Sequence, residues 1–134
     1  AVLKGYKLLQ VPENKLLRTE LSTKSLEDLK EILSNYSNLA AIYSIKGDYK
    51  KAMDNCKNDL NINLLSLGEN HTYTGLSYTN IAAIYYNLKE YPLALEYYEK
   101  ALKIFNVKLG KEHPNTKDIE KDVYNLKQKL HYQD

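Results

Sequence analysis

The amino-acid sequence predicts an all-α fold, a solenoid of helical hairpins, and three observations carry that prediction. The first is self-similarity. Leu67-Gly68-Glu69-Asn70-His71 returns as Leu109-Gly110-Lys111-Glu112-His113, an offset of 42 residues. Carried backward, the same offset aligns Asn38-Leu39-Ala40-Ala41-Ile42-Tyr43 with Asn80-Ile81-Ala82-Ala83-Ile84-Tyr85, with no gap between the two blocks. The second is apolar spacing at the helical period, which is taken up element by element below. The third is punctuation: five Gly and three Pro are too few for a sheet protein built on many tight turns. Repeats of this length stack because none can bury its apolar face alone.

Each element follows from its own residues. Residues 1–24 stand outside the 42-residue register and are expected to form a helical lead-in, with Val2, Tyr6 and Leu9 on one stripe and Val11-Pro12-Glu13-Asn14 interrupting it. Ser25-Leu26-Glu27-Asp28 has the form of a helix start, a hydroxyl cap followed by an acidic first turn. The helix that follows carries Tyr36, Leu39, Ala40 and Tyr43 as its expected core stripe and closes at Lys46-Gly47-Asp48. Asp48 can cap the next helix, whose stripe is Tyr49, Ala52, Met53, Cys56, Leu60 and Leu67. In the second unit a helix over about 73–87 aligns Tyr78, Ile81, Ala82 and Tyr85. Its partner runs Tyr91, Ala94, Leu95, Tyr98, Ala101, Leu102, Phe105 and Leu109, an unbroken helical stripe with Pro92 at the tolerant first turn and Gly110 as a left-handed stop. A last helix over about 116–130 has a single apolar stripe, Ile119, Val123, Leu126 and Leu130, as a terminal cap requires. The expected organisation is a lead-in (1–24), two repeats (about 25–71 and 72–113) and a C-terminal capping helix (114–134).

These residues resemble the tetratricopeptide repeat, most closely the longer form found in kinesin light chains. The family's small residue and following aromatic in the leading helix match Ala40 with Tyr43 and Ala82 with Tyr85. Its aromatic and alanine in the second helix match Tyr49 with Ala52 and Tyr91 with Ala94. The light-chain linker Leu-Gly-x-x-His-Pro matches Leu109 to Pro114, and Leu67 to His71 with Thr72 in place of Pro. The resemblance implies a right-handed solenoid that binds other proteins, often as peptides in a concave groove. Two departures stand out. Cys56 and Asp59 occupy the aromatic and alanine positions of the first unit's second helix, which predicts looser packing there.

Composition narrows the function. The net charge of +2 is near balance and Arg18 is the only arginine, which leaves little for bidentate reading of phosphates or bases, so no nucleic-acid partner is expected. No apolar run reaches the ~20 residues of a membrane span, and a single cysteine excludes an internal disulfide. A reducing, cytoplasmic setting fits, and the Asn-x-Ser/Thr matches at Asn35 and Asn70 are idle there. No metal-binding His pair, nucleophile elbow or phosphate-cradling Gly loop is present, so neither enzyme activity nor a cofactor or metal is expected. His71 and His113 hold equivalent linker positions, where an imidazole is expected to bond the free carbonyls of the preceding helix end. Cys56 sits on a core stripe as a small buried hydrophobe.

The candidate binding face is a second stripe on the leading helices, rotated from the core stripe. It comprises Ser34, Ser37, Asn38, Ala41 and Ile45 in the first unit, Leu76, Thr79, Asn80, Ala83, Tyr86 and Asn87 in the second, and Asp122 on the last helix. Small residues leave room for an extended chain, and each Asn offers a donor and an acceptor to main-chain amides. The resemblance implies that this face lines the groove, with Asn38 and Asn80 at the backbone-holding position. It also argues against a carboxylate clamp for chaperone tails, because Lys and Arg are missing from the face upstream of the last helix. Tyr86 and Tyr97 both adjoin a stripe tyrosine and are expected off the buried face, free to anchor a contact. The expected function is a protein–protein interaction scaffold that binds a protein or peptide partner. The rival is self-association or assembly within a multisubunit or cytoskeletal complex, which leaves room for a homo-oligomer.

Overall fold

The computed structural model describes residues 25–131, so the lead-in expected over 1–24 lies outside the described residues. Five helices and no strand occupy them: α1 (Leu26–Ile45), α2 (Tyr49–Ser66), α3 (Thr72–Asn87), α4 (Tyr91–Lys108) and α5 (Pro114–His131). The fold is all-α and built from helical hairpins. Contacts divide the chain into two compact units, one ending at Glu69 and the other beginning at Asn70.

The first unit is the hairpin α1–α2. Ser25 caps α1 as expected, its hydroxyl accepting from the Asp28 amide at 3.2 Å, and Glu27 and Asp28 place negative charge at the positive end of the helix dipole. The turn needs a left-handed residue, which Gly47 supplies at φ +79°. Its amide donates to the Ser44 carbonyl at 3.0 Å, and the Asp48 amide to the Tyr43 carbonyl at 2.8 Å, the two bonds of a Schellman closure. Asp48 then turns from closing one helix to capping the next, its carboxylate accepting from the Lys51 amide at 3.2 Å. The interface is made by Ala40 from α1 and by Ala52, Met53, Cys56, Leu60 and Ile62 from α2. Three polar side chains, Asp59, Asn61 and Asn63, are buried on α2 as well. One expectation fails here. Leu39, assigned to the core stripe, is 42% exposed, and Tyr36 and Tyr43 are only half-buried.

The second unit is α3–α4–α5. α3 closes as α1 does, with the Lys89 amide donating to Tyr86 and the Glu90 amide to Tyr85, each at 2.9 Å. The left-handed position falls on Lys89, at φ +61°, where the first unit has glycine. A β-carbon costs about 1–2 kcal/mol in that conformation. Pro92 sits in the first turn of α4, where no amide partner is lost. Gly75 on α3 admits the Phe105 ring so closely that a β-carbon there would stand 2.7 Å from Cε1. α4 buries Ala94, Tyr97, Tyr98, Ala101, Ile104 and Phe105, all apolar or aromatic, in contrast to the polar trio on α2. α5 buries Thr116, Ile119, Val123 and Leu126 and is polar over most of its remaining surface, with Tyr124 exposed.

The linker histidines do something other than expected. His71 Nδ1 accepts from the Tyr73 amide at 3.0 Å, and His113 Nδ1 accepts from the Asn115 amide at 3.1 Å. Each imidazole therefore caps the start of the following helix and leaves the end of the preceding one alone. At the end of α4 the Phe105 carbonyl accepts from the Leu109 and Gly110 amides, and from the Thr116 hydroxyl at 3.4 Å.

Replacing Lys89 by Gly removes the β-carbon strain but adds unfolded-chain entropy, so a net gain of about 0.5–1 kcal/mol is expected. The reciprocal Gly47→Lys should cost about as much. Urea unfolding of the two variants checks both signs.

Candidate functional site

Burial separates the candidate face from the core on α3, whereas on α1 Ala40 is the one buried member of the expected core stripe. On α1, Ser34, Asn38, Ala41 and Ile45 are exposed and Ser37 is half-buried, whereas Ala40 is buried. On α3, Leu76, Tyr86 and Asn87 are exposed and Thr79, Asn80 and Ala83 are half-buried, while Tyr78, Ile81 and Ala82 are buried. Asp122 on α5 is half-buried. None of the twelve residues singled out from sequence lies in the core. The rows on α1 and on α3–α5 belong to different units, and each stands by itself.

The chemistry of these positions is that of an unfilled polar surface. Thr79 turns its hydroxyl back onto the Gly75 carbonyl at 3.0 Å, within its own helix. Among the described residues, neither Asn38 nor Asn80 has a side-chain hydrogen-bond partner, so both amides remain available. Leu76 and Tyr86 add two exposed apolar groups to the α3 row.

The second unit has the more developed site. The Tyr86 ring meets the Tyr91 ring edge-on, with centroids 5.3 Å apart, across the α3–α4 turn. The Lys129 ammonium, from the far end of α5, lies 4.9 Å from the Tyr91 centroid and completes a cation–π contact. Tyr91 was read from sequence only as a core residue. Its second role was legible in principle, because Tyr86 and Tyr91 straddle a short turn, but the approach of Lys129 depends on how α5 packs. Near this group, burial pushes the Tyr98 hydroxyl up to about 12, with the negative charge of Asp122 adding to the effect and Tyr86 contributing less. Asp122 itself is raised, first by desolvation and then by Asp118 one turn earlier, with Lys121 opposing. The site therefore combines an exposed aromatic, two neighbouring carboxyl groups and a lysine held on a ring.

Tyr97 corrects the sequence reading. It is 9% exposed and stacks on Tyr85 at 5.6 Å, with Tyr78 on another side at 6.0 Å and the Lys100 ammonium 5.1 Å from its centroid. It anchors the hairpin and is not a free contact residue. Cys56 is buried, and desolvation followed by the charge of Asp59 pushes its thiol up to about 12, which keeps it an unreactive thiol. Among the described residues no group of three His, Cys, Asp or Glu could hold a metal ion, and no helix is long and apolar enough to cross a membrane.

Two hairpins with a shared turn geometry, small residues at the helix contact and an uncommitted leading-helix face define a helical-hairpin repeat protein. The tetratricopeptide repeat profile matches residues 31–106 and again 73–122, well over half of the chain, and the chain belongs to that family. Repeats of this family are generally protein-interaction modules. Short stretches also resemble curated proteins of another kind. One is tRNA dimethylallyltransferase 1 of Azobacteroides pseudotrichonymphae, 62% identical over 39 residues, which is 29% of this chain and 13% of that protein. Another is tRNA dimethylallyltransferase 2 of Bacteroides fragilis, 59% identical over 39 residues, with the same shares. A third is tRNA dimethylallyltransferase 1 of Parabacteroides distasonis, 61% identical over 36 residues, 27% of this chain and 12% of that protein. The matched stretches span about an eighth of those relatives and show no enzyme activity in this chain.

The Asp122 environment yields a pH prediction. A carboxyl raised in the folded state favours folding in its protonated form, below the ordinary carboxylate range, and that contribution is lost as pH rises through the raised value. Asp122→Asn, uncharged throughout, should therefore raise the melting temperature at pH 7 and leave it nearly unchanged at pH 3. Melting curves followed by circular dichroism at the two pH values check this.

Proposed function

We propose that this chain is a scaffold that binds an extended segment of a protein partner on the concave face formed by its leading helices. The observation that carries this reading is the exposure pattern. The twelve positions, taken from helical spacing and the family resemblance, lie outside the core, although buried residues such as Ala40, Tyr78, Ile81 and Ala82 stand close to them in sequence. The unpartnered amides of Asn38 and Asn80 supply donors and acceptors for a peptide main chain, and Leu76 and Tyr86 supply apolar contact. Asp122 takes the equivalent position on α5. Within the family we assign the chain to the longer, kinesin light chain-like type, on its 42-residue spacing and the Leu-Gly-x-x-His linkers.

The same reading makes the chain a non-enzymatic, cytoplasmic module. The unreactive Cys56 supports the first point, and a lone, buried, unpaired cysteine is compatible with a reducing compartment. The relatives named as tRNA dimethylallyltransferases contribute no catalytic assignment, since the matched stretch is so small a part of them.

Asn38→Ala combined with Asn80→Ala should weaken partner binding while leaving the fold intact. Each lost contact to a peptide amide is worth about 0.5–1.5 kcal/mol, so the pair should lower affinity roughly tenfold or more. Tyr86→Ala should add to the loss. Lys57→Glu with Lys103→Glu, on the second helices, should matter much less. Side-by-side pull-downs against native lysate read the outcome, with circular dichroism confirming that every variant is folded. Retained partners in the Asn variant and lost partners in the Lys variant would move the binding surface to the second helices.

A further inference from the structure

In the second unit the leading-helix row changes character between α3 and α5. Asp118 and Asp122 stand where Leu76 and Asn80 stand one repeat earlier, and their spacing of one helical turn puts both on one face of α5. Asp118 is exposed and Asp122 is half-buried. Among the described residues neither carboxylate has an ion-pair partner or accepts a hydrogen bond. The two neighbouring ammonium groups leave Asp122 uncompensated. Lys129 is held over the Tyr91 ring at 4.9 Å. Lys121 is exposed, and its charge does not offset the desolvation of Asp122 and the repulsion from Asp118. A third polar group belongs to the same place. Tyr98 of α4 is 8% exposed, its hydroxyl has no hydrogen-bond partner, and its electrostatic neighbours are Asp122 on α5 and Tyr86 on α3. The Tyr86 ring is 41% exposed and meets Tyr91 by an edge contact. Three helices thus bring together a desolvated carboxylate without a counter-charge, a buried hydroxyl without a partner and an open aromatic face.

We propose that this end of the second unit takes a lysine or arginine side chain of the partner segment, its cationic head at Asp122 and Asp118 and its stem against Tyr86. The inference rests on the reading of the leading-helix face as a peptide groove, and it adds which side chain the peptide brings. Each feature of the site suits a cation. The carboxylates supply the counter-charge and strong charge-assisted hydrogen bonds. The Tyr98 hydroxyl oxygen accepts a further bond, and an aromatic face attracts an ammonium or guanidinium group. The other side-chain classes fit worse. A carboxylate would add a third negative charge to two that already oppose each other. An apolar side chain would complete the burial of Asp122 without pairing it, which costs more than leaving the group half in water.

Random peptides displayed on phage and selected against the full chain test this. Peptides are kept when Asn80→Ala weakens them, since Asn80 is the α3 counterpart of Asp122 and its loss locates them on this row. The kept peptides should share a Lys or Arg at one position. Each is then synthesised with that residue and with its neutral counterpart, norleucine for Lys or citrulline for Arg. On the parent chain the neutral peptide should bind about tenfold more weakly or worse, and on Asp118→Asn with Asp122→Asn the difference should shrink to about twofold or less. Circular dichroism confirms that the variants are folded. Kept peptides that share no basic residue, or that share an acidic one, would overturn the proposal and leave the peptide-groove reading standing. So would a basic residue worth the same on the parent and on the Asn variant. If no selected peptide responds to Asn80→Ala, the groove reading itself falls, and this proposal falls with it.

Discussion

The close contact of small residues inside each hairpin is what the rest of the structure depends on. Ala52 in α2 and Ala82, Ala94 and Ala101 in the second unit have no exposed surface, and Ala40 is nearly as buried. Alanine lets paired backbones approach, and the space beside the contact is then filled by larger groups: Met53 and Leu60 in one unit, Tyr97, Tyr98 and Phe105 in the other. Gly75 extends the same logic, since Phe105 occupies the place of its missing side chain. The tight turns follow. A Schellman closure at Gly47 or Lys89 ends one helix and allows the next to begin within a few residues, returning the chain along its partner.

Much of this was legible in the sequence because it is local. Ser25 and Asp48 as caps, the left-handed glycines and the helix bounds are all settled within one or two turns of chain. The failures share a physical cause, which is that they depend on what arrives from elsewhere. A single-stripe reading of α4 placed Tyr97 outside the core. Its ring, however, is long enough to fold back onto Tyr78 and Tyr85, so the buried arc of α4 is wider than its backbone stripe. The histidines were expected to serve the preceding helix ends, and they cap the helices that follow instead. Leu39, the counterpart of Ile81 one repeat earlier, is 42% exposed where Ile81 is fully buried.

Helical spacing groups the candidate residues on one face; on α3 that face lies outside the buried set, and on α1 the expected core stripe is itself mostly not buried. What spacing could not supply is the chemistry at the end of the second unit. The Tyr86–Tyr91–Lys129 group draws on three helices, and so do Tyr98, Asp122 and Tyr86 as electrostatic neighbours. Asp118, Asp122 and a lysine held over a ring give this end a polarity that the Ser- and Ala-rich row on α1 lacks.

The most direct test of the account is to enlarge the hairpin alanines. Ala52→Leu and Ala94→Leu conserve helix propensity, so any change reports the contact itself. Each should lower the unfolding free energy by about 1–3 kcal/mol, because a well-packed interface has no room for the added carbons. Ala83→Leu, on the half-buried candidate face of α3, should change it by no more than about 0.5 kcal/mol. Denaturant unfolding that found all three substitutions equally mild would show that close approach at the alanines does not hold the hairpins together.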